Sequence, residues 1–253
     1  MGLKQQLKKV QKKVINAFDV NFQQREKTAA LGKQLYAISG GKVFGGIFAA
    51  MKLPQISAVT KRPNIIVGSY ESDIHQALLE AVLWKPDHVI NVGSAEGYFA
   101  VGLAMLLNDE VPVHAFELEE RHWQDCAAMA AANGIQKSIL QKGFCTTETL
   151  NEIDAKRAFV LIDCEGGEME LLNPEKVSSL KTAFILCELH DFIVPKITAT
   201  LINRFQDTHS IAIIFETAKN VGDYRILNHL ENESDRALAI AEFRQIKNIP
   251  DQG

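Results

Sequence analysis

An α/β fold with a doubly wound, mostly parallel sheet is predicted by three features of this 253-residue chain. Strand-like and helix-like segments alternate from residue 88 to residue 216. Several of the strand segments are apolar throughout, as strands buried on both faces are. The first of them, His88–Val92, stops on Gly93-Ser94-Ala95-Glu96-Gly97 before a helical pattern resumes at Tyr98. A strand that runs through a glycine turn into a helix builds a pocket at the carboxyl edge of a sheet. Glycines let the backbone approach a ligand closely, and the helix turns its positive end into the same space. At 47% apolar content the chain holds enough material for one sizeable core. The full expectation is a Rossmann-like, seven-stranded sheet over residues 71–253, preceded by a helical extension or cover over residues 1–70.

Taken in order, Leu3, Leu7, Val10, Val14 and Phe18 share one stripe of a helix over 3–18, with Lys4, Lys8, Lys9, Lys12 and Lys13 elsewhere around the turn. Such a basic amphipathic helix packs on its own domain or on a second copy in a homodimer, or attaches to a membrane surface or partner. Gly40-Gly41 and Gly45-Gly46 break the pattern, and Pro54 and Pro63 bracket a loop. Ser72 is placed to cap a helix in which Ile74, Ala77, Leu78, Ala81 and Val82 recur at helical spacing, and Lys85-Pro86-Asp87 ends it. Strands are expected at 88–92, 111–116, 138–142, 158–162, 183–189 and 210–216. Helices are expected at 97–107, 120–133 (closed by Gly134), 168–180 and 195–206. The segment 224–243 is compatible with strand or helix.

With 27 basic and 31 acidic side chains, no whole-protein field draws the chain to nucleic acid or to an anionic membrane, and no nucleic-acid partner is expected. Cys126, Cys145, Cys164 and Cys187 are widely spaced with no C-x-x-C pair, which suits buried thiols in a reducing compartment. No apolar run is long enough for a transmembrane segment, and the lysine- and glutamine-rich start has no apolar signal core behind it. The chain therefore reads as cytoplasmic.

In a doubly wound sheet, ligands bind beyond the carboxyl ends of the strands. The second strand ends at Glu117, a little over twenty residues past Gly93, where an acid can accept both hydroxyls of a ribose. The pair of signals points to an adenosine cofactor. The loop lacks G-x-G-x-x-G, and Glu96 would repel a pyrophosphate, so a dinucleotide is disfavoured. A G-x-x-x-x-G-K-[ST] phosphate loop is also missing. S-adenosylmethionine fits better, since it has ribose and adenine, no phosphates, and a sulfonium cation that tolerates carboxylates.

Four stretches then resemble class I S-adenosylmethionine-dependent methyltransferases, and among them an FkbM-like group. They are Val89 to Phe99, Ala115-Phe116-Glu117, the D-x-E-G-x-E segment Ile162 to Glu168, and Cys187-Glu188-Leu189-His190. Gly68-Ser69-Tyr70-Glu71 is similar to such enzymes too, and the resemblance covers roughly residues 68 to 217. It implies methionine bound at Gly93, Ser94, Ala95, Gly97 and Tyr98, with Tyr70 and Glu71 nearby. Ribose falls to Glu117 beside Leu118, and adenine lies near Gly143-Phe144-Cys145, with Phe144 as the contact. Asn91 stands where that family usually has an aspartate that helps hold the methionine amine; an amide still accepts a hydrogen bond but without the charge.

Asp163 and Glu165 are two apart at the end of the fourth strand, so in extended chain their carboxylates share a side; Glu188 and His190 repeat the spacing on the fifth. Asp163 and His190 are candidates to deprotonate or orient an acceptor, with Glu188 setting the imidazole tautomer. Asp163 touching the cofactor, or the acids holding a divalent cation, are equally open, and the metal question is undecided by sequence. A plainer reading has Asp163 and Glu168 charge-stabilising the following helix and His190-Asp191 in a polar turn. The fourth-strand turn is Asp163-Cys164-Glu165-Gly166 rather than the [DN]-P-P-[YF] shared by methyltransferases acting on exocyclic amines of nucleic-acid bases, which favours an oxygen on a small-molecule or glycan acceptor. The competing class is a catalytically silent module that recruits a partner or membrane through its basic first helix.

Overall fold

The computed structural model describes residues 23–55 and 58–242; the basic helix expected over 3–18 lies outside them. Five strands form one parallel sheet: β1 (His88–Val92), β2 (Val113–Phe116), β3 (Ile139–Lys142), β4 (Ala158–Ile162) and β5 (Phe184–Cys187). Their order is β3-β2-β1-β4-β5, with all four pairings parallel. The α/β doubly wound expectation holds, with five strands rather than seven among the described residues. Residues 210–216 have the β-branched run that periodicity reads as a strand, but a strand also needs a ladder partner. There Ile211, Ile213, Ile214 and Phe215 are exposed and unladdered.

The period of two along each strand divides the interior into two cores. Val89, Val113, Ala115, Phe159 and Leu161 face one core. It is closed by a helix over 23–38 (α1), α2 (Pro63–Val67), α3 (His75–Leu83), α4 (Tyr98–Leu106), α5 (Glu120–Asn133) and, later in the chain, α9 (Glu233–Ile240). Ile90, Val92, Phe116, Val160 and Ile162 face the other, covered by α6 (Thr147–Asn151), α7 (Glu168–Leu171) and α8 (Ile197–Phe205). Val43, Phe48, Met51 and Leu53, from the segment expected as a cover, belong to the first core. The Phe48 ring lies edge-on to Tyr98 at 5.2 Å, and a Cβ on Gly102 of α4 would sit 2.5 Å from that ring.

Several helix boundaries differ from those read in the sequence. The helix expected over 168–180 stops at Leu171, because Pro174 has no N–H to donate and biases its predecessor away from helical angles. A short 3-10 turn, Ser178–Thr182, resumes beyond it. Ser72 does not cap α3: a 3-10 turn, Ser72–Ile74, precedes it, entered through Glu71 in the left-handed region at φ 49°. The unanticipated α6 is held by a reciprocal cap, Thr146 Oγ1 accepting from Thr149 N at 3.2 Å and Thr149 Oγ1 from Thr146 N at 2.9 Å. The described part of the ambiguous 224–243 stretch, up to residue 242, holds the 3-10 turn Arg225–His229 and α9.

Candidate active site at the carboxyl edge of the sheet

The strand order reverses between β1 and β4, where such sheets open a crevice. The ends of β1 and β4 meet there so closely that only glycine fits: a Cβ on Gly93, at φ +77°, would lie 1.8 Å from the Asp163 carbonyl oxygen. Gly97, at φ +87°, is pressed against Cys126, whose Sγ would be 2.6 Å from an added Cβ. The glycines thus serve close packing of the loop on its own protein. The loop amides expected to face a ligand are engaged internally. Gly93 N and Ser94 N donate to the Phe116 carbonyl, Ala95 N to Glu117 Oε2, and Gly97 N to the Ser94 carbonyl. A ready-made cradle for phosphate is therefore not what this turn offers.

A cleft of about 940 Å³ opens beside it, at the upper end of the size range of small-molecule sites. Of the sequence-predicted residues, Gly93, Ala95, Glu117, Leu118, Phe144 and Asp163 line it, as do Gly143 and Cys145. The Glu117 carboxylate is held rigidly, accepting from Ala95 N at 2.9 Å, Leu118 N at 2.7 Å and Glu119 N at 2.8 Å. Leu118 and Phe144 are largely exposed apolar side chains on the same wall. Tyr70, Glu71, Asn91, Ser94, Gly97 and Tyr98 are not part of the cleft wall. Tyr98 is buried against Phe48 and Tyr70. Asn91 is buried within β1, and its Oδ1 has no hydrogen-bond partner, an orphan acceptor of the kind native interiors rarely leave.

Acids gather on the far side of β4. Asp163 is pushed up to about 8 by burial and by the negative neighbours Glu188, Glu165 and Glu71. Its carboxylate comes together with Glu188 and His190, one ligand-type atom from each lying within 4.8 Å of the others. Glu165 stays in the cleft wall outside this group, because the chain turns left-handed at Glu165 (φ 56°) and Gly166 (φ 108°) instead of running on extended. Glu188 does not set the imidazole tautomer as expected. His190 Nδ1 is 2.7 Å from Glu168 Oε1, and Glu168 is fully buried. The same Glu168 oxygen accepts from Cys164 N and Gly166 N, so one carboxylate holds both the turn and the ring. Glu168 was read as a helix-end charge; its complete burial carries no local signal.

Arg62 is a second residue that sequence reasoning missed. Its guanidinium lies over the Tyr70 ring at 4.4 Å and 3.8 Å from the Glu96 carboxylate. Burial pushes the Tyr70 hydroxyl up to about 12, with Arg62 opposing the shift, so the phenol is a hydrogen-bond donor rather than a base.

No protein-family model matches the sequence, and no curated protein matches it. Among solved structures, the chain is similar to an SAH-bound methyltransferase from Podospora anserina, with 15% identity and a TM-score of 0.38 over 45% of this chain and 50% of that one. The match thus spans about half the length of the Podospora protein. It is also similar to a precorrin-6y C5,15-methyltransferase from Geobacter metallireducens, with 13% identity and a TM-score of 0.42 over 53% and 70% of the two chains. A third is the O-methyltransferase TomG from Streptomyces achromogenes, with 15% identity and a TM-score of 0.38 over 72% and 75%. At such distances the activity has to be argued from the site itself.

Proposed function

We propose that this protein is an S-adenosylmethionine-dependent methyltransferase acting on an oxygen of a small-molecule or glycan acceptor. The observation that carries the reading is the cleft at the β1/β4 reversal, whose lining includes both the fixed Glu117 carboxylate and Asp163. Its volume suits a nucleoside with an amino-acid tail. Beyond its three backbone bonds Glu117 retains about one acceptor site, on Oε2, for a ribose hydroxyl. The internally satisfied loop amides fit a ligand without phosphates, and the surrounding acids suit a cationic one.

When bound, the cofactor would supply a sulfonium methyl group for transfer to the acceptor's oxygen, leaving this chain's residues to hold the acceptor and take up its proton. Asp163 is the residue placed for that proton, since it lines the cleft and its raised proton affinity matches work near neutral pH. His190, almost wholly buried behind it, is a positioning residue, 3.6 Å from Asp163 through Nε2. Leu118 and Phe144 offer an apolar edge for adenine, and alignment of the acceptor within the cleft contributes the remaining rate, roughly 7–11 kcal/mol at most.

Isothermal titration of the folded protein with S-adenosylhomocysteine tests the reading. Micromolar binding is expected, weakened about 10- to 100-fold in Glu117→Gln as a charge-assisted hydrogen bond is lost. No heat with either form of the nucleoside, or NADH binding in its place, would overturn it.

A further inference from the structure

We propose that Asp163, Glu188 and His190 form a binding site for a divalent cation that accepts mixed nitrogen and oxygen ligands, such as Mn²⁺ or Zn²⁺. A carboxylate only accepts, so the 2.7 Å contact from His190 Nδ1 to Glu168 places the ring hydrogen on Nδ1. The other ring nitrogen, Nε2, faces Asp163 Oδ1 at 3.6 Å.

Glu188 brings a third electron-rich atom to the same point, so the three donor atoms, all within 4.8 Å of one another, converge on one small volume. Metal bonds of about 2.0–2.2 Å put neighbouring ligand atoms roughly 3–3.5 Å apart, so the side chains need to close by about an ångström. Glu168 supplies the outer support that metal-bound imidazoles ordinarily have, a buried carboxylate on the other ring nitrogen that is itself tied down by two backbone N–H groups. One imidazole with two carboxylates suits Mn²⁺ and Zn²⁺ better than Mg²⁺ or Ca²⁺, which prefer oxygen alone. Three protein ligands leave positions open, and Asp163, the one of the three that lines the cleft, connects the ion to the space where an acceptor's oxygen would lie. That last role rests on the methyltransferase reading; the binding of the ion does not.

The test uses the full chain, stripped with a chelator and then dialysed, titrated separately with MnCl₂ and ZnCl₂ by calorimetry and, for Mn²⁺, by loss of its free-ion paramagnetic resonance signal. About one ion per chain is expected, bound at least tenfold more weakly in Glu188→Gln and His190→Gln, and 10- to 100-fold more weakly in Glu168→Gln through the loss of support. Glu165→Gln, outside the group, should change binding less than twofold. Circular dichroism identifies any variant that fails to fold, and Glu188→Gln, which leaves the His190–Glu168 contact intact, then decides. The proposal is overturned if neither ion binds the wild type stoichiometrically, if the variants bind as well as wild type, or if nitrogen NMR finds both ring nitrogens of His190 protonated at pH 7.5 in the presence of the ions. Titration with S-adenosylhomocysteine on the same sample separates the two readings: ion without nucleoside sinks the methyltransferase alone, nucleoside without ion sinks the metal site alone.

Discussion

Replacing Gly93 with alanine isolates the close approach on which the cleft is built. The native φ of +77° costs an L-residue about 1–2 kcal/mol. The added Cβ would meet the Asp163 carbonyl oxygen at 1.8 Å, a backbone atom that cannot swing away, so the β1 and β4 ends must part. Overpacking of this kind costs roughly 1–3 kcal/mol more. Gly134→Ala is the internal control, because Gly134 closes α5 at φ +72° with nothing within 4 Å of the new atom. Both variants share the dihedral penalty and the entropy that alanine removes from the unfolded chain, so those effects cancel in the comparison. Gly93→Ala should therefore be less stable than Gly134→Ala by about 1–3 kcal/mol, or about 2–12 °C in Tm for a domain of this size, by scanning calorimetry. It should also bind S-adenosylhomocysteine more weakly, which Gly134→Ala should not. Equal losses in the two variants would refute the claim that β1 and β4 touch through Gly93.

Phe48→Ala should cost about 3–5 kcal/mol in urea unfolding, because a ring 3% exposed and packed on Gly102, Tyr98 and Phe99 leaves a cavity between the early segment and α4. Burial, with help from His88 and Lys142, depresses His114 to about 4. The unfolded chain takes up that proton near pH 6.5 and the folded one does not, so this stability is complete above 6.5 and declines toward 4. Urea midpoints should reveal a loss of about 2 kcal/mol between pH 6.5 and 5 that His114→Phe abolishes; an unchanged pH slope in the variant would contradict it. Burial raises all four thiols, Cys126 to about 11 and Cys145 and Cys164 to about 12, with Cys187 higher still. None should react with a disulfide reagent at pH 7.5 on the minute scale until denaturant is added.

The sequence made the β1 turn and the Glu117 strand end legible because both are local: a strand period, two glycines and an acid at a fixed offset. The strands read as apolar on both faces, and in the fold the period of two sends Val89 and Phe159 to one core and Ile90 and Val160 to the other. Asp163 and His190 could be named as site candidates from their places at strand ends. Glu168, Arg62 and the left-handed turn at Glu165 could not, since each depends on what lies across the fold rather than along the chain.

By itself, then, the chain determined the alternation of strands and helices, the apolar faces and the position of the glycine turn, all properties set by neighbours within a few residues. Tertiary structure alone decided that the sheet closes at five described strands, that the early segment shares the first core, and that Glu168 rather than Glu188 holds His190. The reason is physical: ladder partners, burial and the meeting of charged side chains are relations between residues far apart in sequence, and they come into being only when the backbone brings β1, β4 and β5 side by side.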